Sequence, residues 1–261
     1  MRAPDLRQWK RNGQKIAMLT AYDALLARLL ERAGADILLV GDSLGMVMLG
    51  YETTIPVTVD DVVHHTRAVS RAVRRPLVVA DLPFLSYHES VAQAVRNAGR
   101  LLQEGGAAAV KVEGGRPILD VVRRLVEIGV PVMGHLGLTP QAFHSLGGFR
   151  RQAREAKDAD ALLEEARELE AAGTFALVVE AVPEEVGARA AAELAIPVIG
   201  IGAGPSCDGQ VLVTHDMLGL NEAAPAFVQR YARLGEAAIT AAAAYVDDVR
   251  AGRFGRPEPE Q

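Results

Sequence analysis

Four acidic residues each end an apolar stretch that has the length of a β-strand. They end the stretches ADILLVGD, RPLVVAD, AAAVKVE and FALVVE, at Asp42, Asp81, Glu113 and Glu180. Patterns typical of amphipathic helices lie between these stretches, as expected of βαβ units with parallel strands. Parallel strands would bring the four carboxylates to one edge of the sheet, where they repel each other unless a cation binds between them or one is protonated. The pattern predicts a metal site and a carboxylate that acts as an acid or base.

Asp42, Asp81 and Glu113 are the predicted metal ligands, and Ser43 adds a hydroxyl group beside Asp42. Two or three carboxylates with further positions open to water and substrate suit Mg²⁺, whereas zinc calls for histidine or cysteine at close spacing. Asp42 alone could instead cap a helix, and Asp81 alone could form a turn. The presence of a third acid favours the metal site over these two alternatives.

Two further ionisable residues are expected near these acids. Lys111 and Glu113 are two residues apart, so both point to the same face of their strand. If that face is a barrel interior, the two form either a structural ion pair or a site in which Lys111 binds an oxyanion and Glu113 supports the metal. His135, at the end of VPVMGH, is either a hydrogen-bond partner at the same mouth or a core histidine. Glu180, far along the chain from the other acids, is the predicted general base.

The bulk composition limits the class of protein. The chain has 261 residues, 49% of them hydrophobic, and a net charge of −5, which suits one large domain and argues against a nucleic-acid partner. The longest apolar runs have strand length, so we expect neither a signal peptide nor a membrane span, and we expect a cytoplasmic location. The single cysteine, Cys207, forms no internal disulfide, and we interpret it as an incidental small side chain.

Eight strand candidates alternate with helical patterns, and this number suggests a (β/α)₈ barrel. In chain order they are KIAMLTAY, ADILLVGDS, RPLVVADL, AAAVKVEG, VPVMGHLG, FALVVEAV, IPVIGIGAG and GQVLVTHD. Active sites of such barrels lie at the carboxyl ends of the strands. A doubly wound open sheet is the alternative, but LTAYDALLARLL lacks the glycine-rich turn that usually follows its first strand.

We therefore predict a single barrel domain over residues 1–261, with a C-terminal helical extension at about 222–254 and a disordered end, RPEPEQ. Long loops follow the second and fifth strand candidates, at 44–58 and 135–154, and loops of this length usually bind ligands or cover a site.

The chain resembles the ketopantoate hydroxymethyltransferases from about Lys15 to Phe254. The resemblance is carried by MLTAYDA, DILLVGDSLGMVMLGYETTIPVTVDD, HHTRAVSRA, VADLPF, AVKVEGG, GHLGLTPQ, LGGFR, LVVEAVP, IGIGAGPSCDGQVLV, DMLGL and YVDDVRAGRF, in family order. It implies a (β/α)₈ barrel of the phosphoenolpyruvate/pyruvate type and the first committed step of pantothenate synthesis. The implied reaction transfers a hydroxymethyl group from methylenetetrahydrofolate to 3-methyl-2-oxobutanoate, through an enolate stabilised by Mg²⁺, and gives 2-dehydropantoate. The implied assembly is a homodecamer of two stacked pentamers.

The resemblance also assigns roles to individual residues. It implies that the metal ligands are Asp42, Asp81 and Glu113, that the substrate is bound by Asp42, Ser43, Asp81 and Lys111, and that Glu180 accepts the proton. Two other functions stay open from the residues alone. One is a lyase of the same superfamily that needs no folate, and the other is an inactive metabolite-binding or assembly protein on the same scaffold.

Overall fold

Eight parallel strands form a closed barrel in the computed structural model, which describes residues 2–221 and 223–255. The strands are β1 (Ile16–Thr20), β2 (Ile37–Val40), β3 (Leu77–Asp81), β4 (Ala109–Glu113), β5 (Val132–Gly137), β6 (Ala176–Glu180), β7 (Val198–Ile201) and β8 (Gly209–Leu212). Each strand pairs with the next in sequence, and β8 pairs with β1. The predicted barrel is confirmed, and the open-sheet alternative is wrong because the pairing of β8 with β1 closes the sheet and leaves none of the eight strands at an edge.

The eleven helices of the described residues surround these strands or follow them. They are α1 (Asp5–Arg11), α2 (Ala24–Ala33), α3 (Leu44–Val47), α4 (Val59–Ala72), α5 (Val91–Gln103), α6 (Leu119–Glu127), α7 (Phe143–Leu146), α8 (Ala156–Ala171), α9 (Glu184–Glu193), α10 (Thr214–Met217) and α11 (Leu234–Arg250). Short 3₁₀ turns cover Arg116–Ile118 and Pro140–Ala142. Sequence signals fix some ends: Thr58 and Asp61 form a capping box at the start of α4, and Gly34 ends α2 with a φ of 93°.

The strands are apolar on both faces because they separate two buried clusters. One cluster contains Leu38 and Val40 together with helix residues, so it lies between the sheet and the helices. The other contains Ile37 and Leu39 with the alternate residues of other strands, so it fills the barrel interior. Leu6 of α1 is fully buried in this interior cluster.

The two-residue period of the strands decides which polar side chains enter the barrel. The interior cluster includes Val79 of β3, Ala109 of β4, Met133 of β5 and Val178 of β6. Two residues further along each of these strands, the same inward face carries Asp81, Lys111, His135 and Glu180. On β4, Glu113 lies two residues after Lys111 and also points inward. The interior is therefore apolar over most of its height and ionisable at the carboxyl end of the strands.

The connection from β7 to β8 departs from the regular alternation of strands and helices. It consists of residues 202–208, all described, and contains no helix. Gly202 and Gly204 have φ angles of 61° and 82°, and a Cβ on Gly204 would collide with the side chain of Glu184 on α9. The glycine-rich sequence thus allows a tight turn packed closely against α9.

The chain divides into two compact units, Met1–Leu212 and Val213–Gln261. The first contains the whole barrel, and the second contains α10 and α11. Within the predicted extension at 222–254, α11 begins only at Leu234. In the segment before it, the backbone N–H of Tyr231 donates to the carbonyl of Met217, and that of Leu234 donates to the carbonyl of Leu218. That the chain forms a single domain stays a prediction. The predicted disordered end, 256–261, lies outside the described residues. No helix among the described residues is long and apolar enough to cross a membrane.

Candidate active site

The predicted site residues meet at the carboxyl end of the barrel. Strand register places Lys111 beside Asp81, and His135 beside Glu113. The side chains of these four residues are each no more than 4% exposed, and that of Glu180 is 15% exposed. Asp42, two residues after β2, is also buried.

Lys111 forms its closest ion pair with Asp81 on the neighbouring strand. Its Nζ lies 2.8 Å from Asp81 Oδ1, 3.7 Å from Glu113 Oε1 and 3.3 Å from His135 Nδ1. Burial alone lowers the pKa of Lys111, but the carboxylates of Asp81, Glu113 and Asp42 together raise it above its ordinary value. The ammonium group is therefore stabilised in its charged form, and it lies closer to Asp81 than to Glu113, the partner considered from the sequence.

His135 bridges two carboxylates. Its Nδ1 lies 3.2 Å from Glu113 Oε1, and its Nε2 lies 3.2 Å from Glu180 Oε2. Burial and the charge of Lys111 lower the pKa of His135, but Glu113 and the hydrogen bonds to Glu113 and Glu180 outweigh them and raise it to about 9. His135 thus lies between Glu113 and Glu180, with one ring nitrogen 3.2 Å from each carboxylate.

Asp42 accepts a hydrogen bond on Oδ2 from Gln141 Nε2 at 2.9 Å, and its backbone N–H donates to Asp81 Oδ2 at 3.1 Å. Burial, with repulsion from Glu113 and Asp81, raises the pKa of Asp42 well above its usual range. Glu113 has a lowered pKa: burial raises it, but His135 and Lys111 outweigh burial.

The donor set suits a divalent cation in charge. Four carboxyl groups, those of Asp42, Asp81, Glu113 and Glu180, share the site with two basic side chains, Lys111 and His135, and a bound cation would favour the ionised form of all four. Oxygen ligands of this kind favour Mg²⁺. Among the described residues, no three histidine, cysteine, aspartate or glutamate side chains are already arranged around a common metal position. A bound cation would require the carboxylates, and the Lys111 ammonium beside them, to reorient.

Ser43 is oriented by a tyrosine that the sequence analysis did not single out. The hydroxyls of Ser43 and Tyr22 lie 2.7 Å apart, and Tyr22 is fully buried. His65 Nδ1 lies 2.7 Å from the carbonyl oxygen of Tyr22, which ties this residue to α4. Tyr22 occurs in the quoted string MLTAYDA, but nothing in its spacing indicated a contact with Ser43.

Tyr87 and Gln141 are two more buried residues that the sequence analysis missed. Tyr87 follows the string VADLPF, and Gln141 lies just after GHLGLTP in the 3₁₀ turn that follows β5. Both hydrogen-bond to the main chain or carboxylate of Glu113. Polar residues in loops follow no periodic pattern in the sequence, so their place in the site is known only from the fold.

The backbone around Glu180 is held tightly. Its carbonyl oxygen accepts the N–H of Leu138 at 2.8 Å, and the N–H of Ala181 donates to the carbonyl of Ile201 at 2.8 Å. Ala181 has a φ of 48°, which is a strained conformation for alanine, and Gly137 has no room for a Cβ because one would collide with the Glu180 carbonyl. These constraints fix the end of β6 from both sides.

Known proteins share this sequence and fold. A family model described as ketopantoate hydroxymethyltransferase matches residues 1–257. The 3-methyl-2-oxobutanoate hydroxymethyltransferase of Moorella thermoacetica is 56% identical over 252 residues, which cover 96% of this chain and 94% of that protein.

Two solved structures share the fold at low sequence identity. Phosphoenolpyruvate phosphomutase from Streptomyces platensis subsp. rosaceus has a TM-score of 0.64 at 19% identity, covering 97% of this chain and 89% of that one. A 2,3-dimethylmalate lyase of the PEP mutase/isocitrate lyase superfamily has a TM-score of 0.62 at 17% identity, covering 99% and 91%. These structures share the (β/α)₈ barrel fold with this chain.

Proposed function

The chain belongs to the ketopantoate hydroxymethyltransferase family, and from this premise we propose that it transfers a hydroxymethyl group to 3-methyl-2-oxobutanoate. The product would be 2-dehydropantoate, in pantothenate synthesis. The match covers nearly the full length of both this chain and its curated relatives, so it includes every residue of the candidate site. We propose further that methylenetetrahydrofolate donates the one-carbon unit and that Mg²⁺ is the resident metal.

Asp42, Asp81 and Glu113 would hold the metal, and the excess of carboxyl groups over basic groups in the site supports this assignment. When bound, Mg²⁺ supplies positive charge next to the keto and carboxylate oxygens of a 2-oxo acid. Lys111 adds a second positive charge, which is available to the substrate because its present partner, Asp81, would bind the cation instead. Ser43 provides a hydroxyl group at the same edge of the site, oriented by Tyr22.

Glu180 is the proton acceptor in this proposal. Its Oε2 faces His135, which leaves Oε1 for the hydrogen on carbon 3 of the substrate. It is also the most exposed of the four acids, as a base that meets an incoming substrate should be. Breaking the C–H bond leaves an electron pair in the enolate, with the negative charge on the former keto oxygen near Lys111.

The enolate carbon then forms a bond to the one-carbon unit. Water hydrolyses the two C–N bonds of the donor, supplies the oxygen of the new hydroxyl group and gives both of its protons to the folate nitrogens, which keep the electron pairs of those bonds. Glu180 returns the abstracted proton to the new oxygen and so regains its charge. His135 contributes by holding the Glu180 carboxylate in one orientation through both halves of the reaction.

We propose a homodecamer in the cytoplasm as the form of the enzyme. The exposed apolar side chains of Ile239, Tyr245 and Val249 on α11 support association with further copies of the chain. The single cysteine, which forms no internal disulfide, is consistent with a reducing compartment.

The placement of Glu180 against His135, at the mouth that also contains Lys111 and three carboxylates, is the observation that carries the proposal. The test is proton NMR of 3-methyl-2-oxobutanoate in deuterated buffer with Mg²⁺, with and without methylenetetrahydrofolate. We expect loss of the signal from the hydrogen on carbon 3, and 2-dehydropantoate only when the donor is present. A lyase would give no folate-dependent product, and an inactive binding protein would give no exchange, so either result would refute the proposal.

A further inference from the structure

Gln141 is a buried glutamine whose side-chain amide is fully used in hydrogen bonds. Its Nε2 donates to Asp42 Oδ2 and to the carbonyl oxygen of Leu82, each at 2.9 Å. Its Oε1 lies 2.9 Å from the hydroxyl of Tyr87, and its backbone N–H donates to Glu113 Oε2 at 3.0 Å. Gln141 is 5% exposed, so these contacts are shielded from water.

These bonds connect Gln141 to every strand that carries a proposed metal ligand. Asp42 follows β2, Leu82 directly follows Asp81 at the end of β3, and Glu113 ends β4. Gln141 itself lies in the turn after β5. One loop residue thus fixes two of the carboxylates directly and the backbone beside the third.

The orientation of the amide is determined by its partners. The Leu82 carbonyl oxygen only accepts hydrogen bonds, so the Nε2 group must face it, and Nε2 reaches Asp42 Oδ2 as well. Oε1 then faces the Tyr87 hydroxyl, which accepts the backbone N–H of Glu113 at 3.0 Å and has two acceptors for its one proton, Oε1 at 2.9 Å and the Glu113 carbonyl oxygen at 3.0 Å. Tyr87 is fully buried, so its hydroxyl is held beside the amide oxygen of Gln141.

We propose that Gln141 is a positioning residue that holds Asp42 and Glu113 in place for metal binding, with Tyr87 fixing its amide. The proposal rests on the function proposed above, because it takes these carboxylates as the metal ligands. An amide suits the role since it orients a carboxylate without cancelling its charge, whereas a lysine or arginine would compete with the cation. Partners of metal ligands typically change metal affinity about 10- to 100-fold when they are mutated.

Gln141→Met tests the proposal because methionine fills a similar volume and makes no such hydrogen bonds. Calorimetric titration with Mg²⁺ in the absence of substrate should show a dissociation constant raised about 10- to 100-fold. The matched control, Gln93→Met on α5, removes a glutamine whose Nε2 bonds only to Glu89, and it should leave the constant unchanged. Tyr87→Phe should weaken Mg²⁺ binding in the same direction. The double variant should lose less than the product of the two single effects, because the residues act as one unit.

A second readout separates positioning from a general loss of structure. Exchange of the substrate hydrogen in deuterated buffer should need more Mg²⁺ to reach half of its maximum rate in Gln141→Met. The maximum rate itself should stay near wild type, because Gln141 contacts Asp42 and Glu113 rather than the proton acceptor. A folded variant with wild-type Mg²⁺ affinity, or one whose maximum rate falls at unchanged affinity, would overturn the proposal.

The remaining outcomes are also decisive. If Gln141→Met does not fold, Tyr87→Phe is titrated alone, and unchanged Mg²⁺ affinity in that variant contradicts the proposal. A wild-type protein that binds no Mg²⁺ also contradicts it. If the wild type binds Mg²⁺ but forms no hydroxymethylated product, the proposed function fails, while the Mg²⁺ titrations still decide the role of Gln141.

Discussion

Glu180→Gln should abolish proton abstraction while leaving the rest of the site in place. Glutamine has the shape of glutamate, but its neutral amide does not accept a proton from carbon. A positioned general base contributes on the order of 10² to 10⁴ in rate, which corresponds to about 2.7 to 5.5 kcal/mol of transition-state stabilisation. The side chain lies at the mouth, contacts His135 and is 15% exposed, so the Glu180→Gln variant should still fold.

The assay follows the hydrogen on carbon 3 of 3-methyl-2-oxobutanoate by proton NMR in deuterated buffer. We expect the exchange rate of Glu180→Gln to fall at least a hundredfold, with Mg²⁺ and substrate binding retained in calorimetric titrations. Glu185→Gln, an exposed residue on α9, is the matched control and should exchange at the wild-type rate. Exchange at the wild-type rate in Glu180→Gln would show that another group takes the proton.

Three further predictions address the metal, the assembly and the cysteine. Asp81→Asn should weaken binding of Mg²⁺ and of the 2-oxo acid together. The amide lacks the charge of a carboxylate ligand, and Lys111 loses the carboxylate that lies 2.8 Å from its Nζ. Unchanged calorimetric titrations would exclude Asp81 as a ligand. Light scattering at micromolar concentration should give a mass near ten chains, and a monomer or dimer would contradict the proposed decamer. Cys207 should react slowly with Ellman's reagent at pH 8, because burial, with the nearby Asp208, raises its pKa to about 11. The thiolate fraction is then about a hundredfold lower than that of an ordinary cysteine. Urea should restore the reaction, and equal rates in folded and unfolded protein would refute this prediction.

The strands were predictable because each is an apolar run that ends in a polar residue. In Leu77–Asp81, for example, both faces are buried, one against the interior cluster and one against the helices. The sequence therefore shows a continuous run rather than an alternating pattern, and such runs are typical of parallel strands. The connection between β7 and β8 has seven residues and contains no helix, so the alternation of strands and helices suggested by the sequence is interrupted there.

The charged residues of the site could be found from the sequence, but their pairing could not. Lys111 and Glu113 share one face of β4, which suggested that they pair with each other. In the structure, Lys111 Nζ lies closer to Asp81 than to Glu113, because the register between β3 and β4 sets Asp81 directly beside Lys111. Register between strands depends on the whole barrel, and a local pattern does not contain it.

The residues that orient the site were missed for a different physical reason. Tyr22, Tyr87 and Gln141 lie in loops after β1, β3 and β5, and their hydrogen bonds reach groups 21 to 99 residues away in the chain. Side chains on strands are directed by the pleat, so their position follows from counting residues, whereas loop side chains are directed by the partners they find. The strands supply all charged groups of the site except Asp42, which lies two residues after β2, and uncharged side chains from the loops orient these groups without neutralising them. A barrel of this kind could therefore keep its charged residues and still lose activity when a loop tyrosine or glutamine changes.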